Sequence, residues 1–89
     1  MMEQEIRISN KLGLHARAAA KFVQAASRFR ARITLSRDSQ SVDGKSILGI
    51  LMLAAAQGSR LVLKAEGLDE GEAMKALVDL VDGKFGEGQ

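Results

Sequence analysis

Polar and apolar residues alternate at the start of the chain. Gln4, Ile6 and Ile8 point one way and Glu3, Glu5 and Arg7 the other, the two-residue period of a half-buried β-strand. Ser9 to Leu14 breaks that period, and Asn10 and Gly13 within it mark a loop. From Ala16 to Ser27 the period lengthens. Ala19, Phe22, Val23 and Ala26 fall at i, i+3, i+4 and i+7, one apolar stripe of an amphipathic helix, with Lys21, Gln24 and Arg28 off it. Alternation returns over Arg32 to Arg37, with Ile33 and Leu35 inward. Asp38 and Ser39 then turn the chain into a short partner strand, Gln40 to Val42, which makes a hairpin. Asp43-Gly44-Lys45-Ser46 reads as a turn into a second helix, with Ser46 as its N-cap. That helix is expected to run through ILGILMLAAA until Gln57 and Gly58 end it. Leu61, Leu63 and Ala65 alternate with Arg60, Val62 and Lys64 in a fourth strand. Asp69 is placed to cap a last helix, with Glu72 three residues on completing a capping box. The core stripe of that helix is Ala73, Met74, Leu77, Leu80 and Val81.

The order is therefore βαββαβα. Strands with one polar face, and helices enough to cover only the other, predict an α+β open-faced β-sandwich. Its expected core is Ile6, Ile8, Phe22, Val23, Ile33, Leu35, Ile50, Leu53, Leu61, Leu63, Leu77 and Leu80. The 89 residues show no linker, composition shift, internal repeat or low-complexity stretch, so one domain over 1–89 is expected. A core this small leaves no room for a large internal ligand cavity.

Composition removes several kinds of chemistry. With no cysteine, neither a disulfide nor a thiolate nucleophile is available, and with one histidine a structural zinc site has no ligand set. No metal and no cofactor are expected. The longest apolar run, Ile47 to Ala56, is ten residues, half of the roughly 20 that a bilayer-spanning helix needs. The opening MMEQEIRISN lacks the apolar stretch of a signal peptide, so a cytoplasmic protein that does not enter a membrane is expected. Charge is unevenly spread. Residues 1–60 hold ten Lys/Arg against four Asp/Glu, a net of +6, and residues 61–89 hold three against seven, a net of −4. A basic front suits an anionic partner, either an acidic protein surface or a phosphate group. Nucleic acid is the other anion. A small nucleic-acid-binding module remains a rival reading, weakened because three Phe, no Tyr and no Trp leave few rings for stacking bases.

The single histidine, His15, lies in LGLHAR between the loop and the first turn of the first helix. The first N–H groups of a helix lack intrahelical partners and the helix dipole is positive there, so that end accepts an anion such as phosphate. Arg17 adds a fork of donors that matches phosphate oxygens. A neutral imidazole nitrogen is a nucleophile near pH 7. Spacing alone also allows an ordinary surface histidine, since no paired carboxylates, Ser-His-acid set or nucleotide loop accompanies it. Gly44-Lys45-Ser46 matches only the end of a P-loop, because Ser39 stands where the first glycine belongs. Ser46 is equally an ordinary helix cap. Ile50, Leu53 and Ala54 fill an inward stripe of the second helix. Ile47, Leu48 and Leu51 are left near the surface, either under neighbouring loops or as a patch for docking a partner.

Two segments, LGLHARAAAKF around His15 and VDGKSILGILMLAAAQG around Ser46, resemble the HPr family, the histidine-containing phosphocarriers of the bacterial phosphotransferase system. The resemblance runs over essentially the whole chain. It implies a four-stranded antiparallel sheet with three helices on one face. It implies that His15 takes a phosphoryl group from phosphoenolpyruvate through enzyme I and gives it to an enzyme IIA-type domain, with Arg17 assisting. The chain is then a carrier, not an enzyme, and a monomer is expected. Ser46 matches the residue that HPr kinase/phosphorylase modifies in many members. Because donor and acceptor must both reach His15, they are expected to share one face made by Ala20, Lys21, Gln24, Ile47, Leu48 and Leu51. A regulatory adaptor that moves no sugar would use the same residues. One departure stands out: Ala18 replaces the proline usual in the family, which keeps the helix but gives up a stiffening residue in its first turn.

Overall fold

The computed structural model describes residues 1–87. Its elements are β1 (Met2–Arg7), α1 (Ala16–Ala26), β2 (Arg32–Arg37), β3 (Gln40–Asp43), α2 (Ile47–Met52), β4 (Arg60–Glu66) and α3 (Glu70–Asp82), followed by a single 3₁₀ turn, Lys84–Gly86. The strands form one sheet in the order β1-β4-β2-β3, with every neighbouring pair antiparallel. Register follows the alternation in the sequence. Ile6 lies opposite Leu61, Leu35 opposite Leu63 and Ile33 opposite Ala65, so one face is apolar; Glu3 and Thr34 each lie opposite Lys64 on the other. The three helices cover the apolar face, α3 against β1 and β4, and α1 against α2 and α3. This is the expected open-faced sandwich.

Ten of the twelve expected core residues are buried, while Val23 and Leu80 are only partly buried and pack at the margin. Gln4, expected on the inward side of β1, is exposed on this edge strand. Phe85 is a core residue that periodicity did not indicate, since it lies beyond the last helical stripe.

Two local expectations are corrected. The second helix was expected to run to Ala56, yet α2 stops at Met52 and Ala54 is left-handed, with φ of 51°. Tertiary partners hold the residues after Met52 in a non-helical path and satisfy their carbonyls. The Arg37 guanidinium donates to the oxygens of Leu53 at 2.8 Å and Ala54 at 2.9 Å, and the Leu14 N–H donates to Ala55 O at 2.9 Å. The capping box of α3 does not form either. Asp69 is at the N-cap position, but its carboxylate accepts the N–H groups of Arg30 and Ala31, each at 2.8 Å, and ties the α1–β2 connection to the start of α3. Glu72 is exposed. Glu70 instead serves the turn before the helix, accepting from the Gly67 N–H at 3.1 Å and pairing with the Met1 ammonium at 3.1 Å.

Candidate functional site

The loop before α1 is held rigid from beneath. Asn10 is fully buried and donates through its amide to Gly13 O at 2.8 Å. Gly13 has φ of 69°, and a Cβ there would lie 2.6 Å from Ala55 O, so only glycine lets the loop close on the segment after α2. The chain then enters α1 at His15, which is extended (φ −76°, ψ 179°) and is itself the N-cap. Its Nδ1 accepts the Arg17 N–H at 3.3 Å. Nδ1 therefore faces the end of α1 where N–H groups lack helical partners and where an anion is stabilised.

The other ring nitrogen, Nε2, lies 2.7 Å from Glu87 Oε2, with the two side chains 27% and 12% exposed. Glu87 Oε1 accepts from the Asn10 amide at 3.0 Å. Burial pushes the Glu87 carboxyl up, but the hydrogen bonds from Asn10 and His15 and the nearby positive charges outweigh it and leave the group more acidic than an ordinary glutamate. The Lys21 ammonium donates to Phe85 O at 2.7 Å and fastens the tail that carries Glu87. A hollow of about 330 Å³ is lined by Lys11, Leu12, Arg17, Lys21, Gly86 and Glu87, two of which, Arg17 and Glu87, contact the His15 ring. Three cations against one carboxylate make it an anion-favouring place.

His15 and Arg17 thus lie together as expected. Asn10 and Lys11, from the preceding loop, and Glu87 join them, and nothing in the spacing along the chain announced Glu87: 72 positions separate it from His15. Ser46 is the N-cap of α2, and its Oγ accepts the Gly49 N–H at 3.0 Å. Ile50 is buried, whereas Ile47, Leu48, Leu51 and Met52 are exposed, Leu48 by 70%. Gln24 is exposed, Ala20 and Lys21 are half-buried, and the Lys21 ammonium is turned onto the tail. Leu12, 66% exposed in the loop beside His15, adds an apolar side chain that periodicity does not single out. Phe22 and Phe85 are buried and Phe29 is half-buried under Arg28, so none of the three rings offers an open stacking platform.

A small α+β sandwich that turns one nitrogen of a lone histidine toward a helix N-terminus, among cations, defines a class of protein suited to carrying an anion on that ring. The family described as "PTS HPr component phosphorylation site" matches residues 2–82. The phosphocarrier protein HPr of Neisseria meningitidis serogroup A is 53% identical over the whole of both chains. The crystal structure of HPr-C-His from Thermoanaerobacter tengcongensis is 55% identical, covers 98% of each chain and superposes with a TM-score of 0.95. A structure described as the HPr dimer from the same organism is also similar, with a TM-score of 0.79 at 55% identity over 98% of this chain and all of the other. The chain belongs to the HPr family of phosphocarrier proteins of the phosphotransferase system, which are phosphoryl carriers and not catalysts. Among the described residues no helix is long and apolar enough to cross a membrane.

Proposed function

We propose that this chain, acting as a single domain over 1–89 in the cytoplasm, accepts a phosphoryl group on His15 from enzyme I and passes it to an enzyme IIA-type domain. The observation that carries the reading is the placement of His15 Nδ1 against the N-terminus of α1, where it accepts the Arg17 N–H at 3.3 Å. The Nδ1 lone pair attacks phosphorus while the donor's bond to phosphorus breaks and its electrons leave with the donor. The phosphoryl oxygens then meet the free N–H groups of α1, with the Arg17 guanidinium at the rim of the same hollow. The acceptor reverses these steps, so the protein is a covalent intermediate regenerated by its partners and not an enzyme. A monomer suffices, because His15, Arg17 and the hollow come from one chain. Ser46, at the start of the apolar α2, is the proposed site of regulatory phosphorylation by HPr kinase/phosphorylase. The docking face proposed for both partners is Ala20, Lys21, Gln24, Ile47, Leu48 and Leu51, to which exposure now adds Leu12 and Met52.

Incubation with phosphoenolpyruvate and enzyme I, read by intact mass, tests the transfer. The expected product carries one phosphoryl group, lost in acid and kept in base, and His15→Ala removes it while leaving the fold intact. Full phosphorylation of the His15→Ala protein would sink the assignment.

A further inference from the structure

We propose that Glu87 is the positioning residue for His15: its carboxylate holds the ring proton on Nε2 and so leaves Nδ1 free as the nucleophile. This rests on the phosphoryl-carrier reading and names how its site is set.

A neutral imidazole carries one N–H and one lone pair, and either nitrogen can hold the proton. Only the form with the lone pair on Nδ1 can react toward the helix N-terminus. An ionised carboxylate accepts hydrogen bonds and donates none. A contact of 2.7 Å between Nε2 and Glu87 Oε2 therefore requires the hydrogen to lie on Nε2. On the opposite side of the ring the Arg17 N–H points at Nδ1, which requires a lone pair there. The two contacts choose the same tautomer independently. The carboxylate partner sets the ring by the same logic that fixes metal-bound and catalytic histidines through their second nitrogen.

The tail that delivers Glu87 is built for the purpose. Lys84, Phe85 and Gly86 have φ of 56°, 56° and 74°, and two successive non-glycine residues in the left-handed region are uncommon. That turn reverses the chain after α3. It is held by the burial of Phe85, by the Lys21 ammonium on Phe85 O at 2.7 Å, and by the Gly86 and Glu87 N–H groups on Gly83 O and Lys84 O, each at 3.0 Å. The buried Asn10 amide takes the other carboxylate oxygen and prevents Glu87 from rotating away. The carboxyl's acidity agrees with an ionised acceptor at neutral pH.

The arrangement also suits the covalent step. The two ring nitrogens project in different directions, so a phosphoryl group on Nδ1 leaves Glu87 in place. As the Nδ1–P bond forms and the donor departs with its electron pair, the ring becomes a phosphoimidazolium that keeps its Nε2–H. The carboxylate beside that N–H offsets the new positive charge, and no proton has to move. When the acceptor attacks phosphorus, the N–P electron pair returns to Nδ1.

The test uses the full chain, ¹⁵N-labelled, with Glu87→Ala and Glu87→Gln. Nitrogen NMR of the neutral ring reads the tautomer. Phosphoramidate, a small phosphoryl donor that needs no partner protein, reads the site of phosphorylation by ³¹P NMR. The parent is expected to hold the Nε2–H form and to phosphorylate on Nδ1. Glu87→Ala should populate the Nδ1–H form, yield product on Nε2, and slow phosphorylation of Nδ1 by roughly tenfold. Glu87→Gln, whose amide oxygen can still accept a hydrogen bond from Nε2–H, should keep the tautomer and lose less rate. A folded Glu87→Ala protein that keeps the parent's tautomer, product and rate would overturn the proposal. The tautomer is read without enzyme I. Failure of transfer from enzyme I therefore counts against the carrier reading alone, while a tautomer indifferent to Glu87 counts against this one alone.

Discussion

His15 occupies a position usually filled by Ser, Thr, Asp or Asn, whose side-chain oxygens satisfy the first helical N–H groups more closely than a ring nitrogen at 3.3 Å. The weaker cap leaves the start of α1 less satisfied than it would be with serine, and that unsatisfied end is where a phosphoryl group is to be held. Arg17 contributes at two levels. Its N–H touches Nδ1, and its exposed guanidinium borders the hollow. Arg17→Ala removes the second contribution and keeps the first. Phosphoryl transfer should therefore slow by no more than about a hundredfold, the low end for losing one oxyanion donor, and should not vanish. Rapid-quench measurement of transfer from enzyme I checks this, and complete loss in a folded variant would show that the guanidinium alone holds the group. Ala18, where the family usually has proline, is buried in the first turn and leaves the helix intact.

Short elements here take their ends from long-range partners. Asp69 ties the α1–β2 connection to α3. Its carboxyl is drawn below its ordinary value of 3.8 chiefly by the Arg30 N–H, against desolvation, with the Ala31 N–H assisting. A carboxyl more acidic in the folded than in the unfolded chain stabilises the fold above its ordinary value and stops doing so as pH falls through its folded value. Thermal stability should accordingly fall as the solution is acidified below about pH 4. Asp69→Asn should lower the melting temperature at neutral pH and flatten that acid decline; equal acid sensitivity in parent and variant would remove Asp69 from the account. Ser46, by contrast, serves α2 locally, as its N-cap. Ser46→Ala should cost about 0.5–2 kcal/mol by thermal or denaturant unfolding, because the Gly49 N–H loses its acceptor. Ser46→Asp keeps an acceptor and adds charge that a helix N-terminus tolerates, so stability should hold. It nevertheless places that charge beside Ile47, Leu48 and Leu51. Transfer from enzyme I should slow, through desolvation and through repulsion from a partner expected to be acidic. A Ser46→Asp protein that accepts phosphate as fast as the parent would leave Ser46 with its capping role alone.

At the scale of the molecule, the sheet separates a helical side from an open polar side, and the candidate chemistry sits at the start of α1, on the helical side. Because α1 packs against α2, the exposed apolar side chains of α2 lie on a helix adjoining the one that begins at His15. Donor and acceptor must each reach the same Nδ1, so their footprints are expected to overlap. Leu48→Asp should weaken both complexes by roughly tenfold or more, as expected for a central apolar contact. It should hardly move the melting temperature, since the side chain is 70% exposed. Calorimetric titration of each partner, alone and then in the presence of the other, checks both points, and a ternary complex would contradict the shared face.

Periodicity was enough to place seven elements and most of the core, because strands and helices that bury one face must repeat their apolar residues every two or every three to four positions. It also located His15 at a helix start and Ser46 at another, since a change of period marks a boundary and a boundary has unpartnered N–H groups. Tertiary structure alone decided how those elements end. Local propensity extended α2 to Ala56 and assigned Asp69 to its own helix; Arg37, Leu14 and the Arg30–Ala31 backbone offered long-range partners and prevailed. The tail was illegible for the same reason. Phe85 belongs to no stripe, and Glu87 meets His15 only because the sheet and α3 return the chain's end to its beginning. Spacing along a chain carries information about neighbours within a turn or a pleat, whereas a contact 72 residues apart depends on where the whole fold puts its ends.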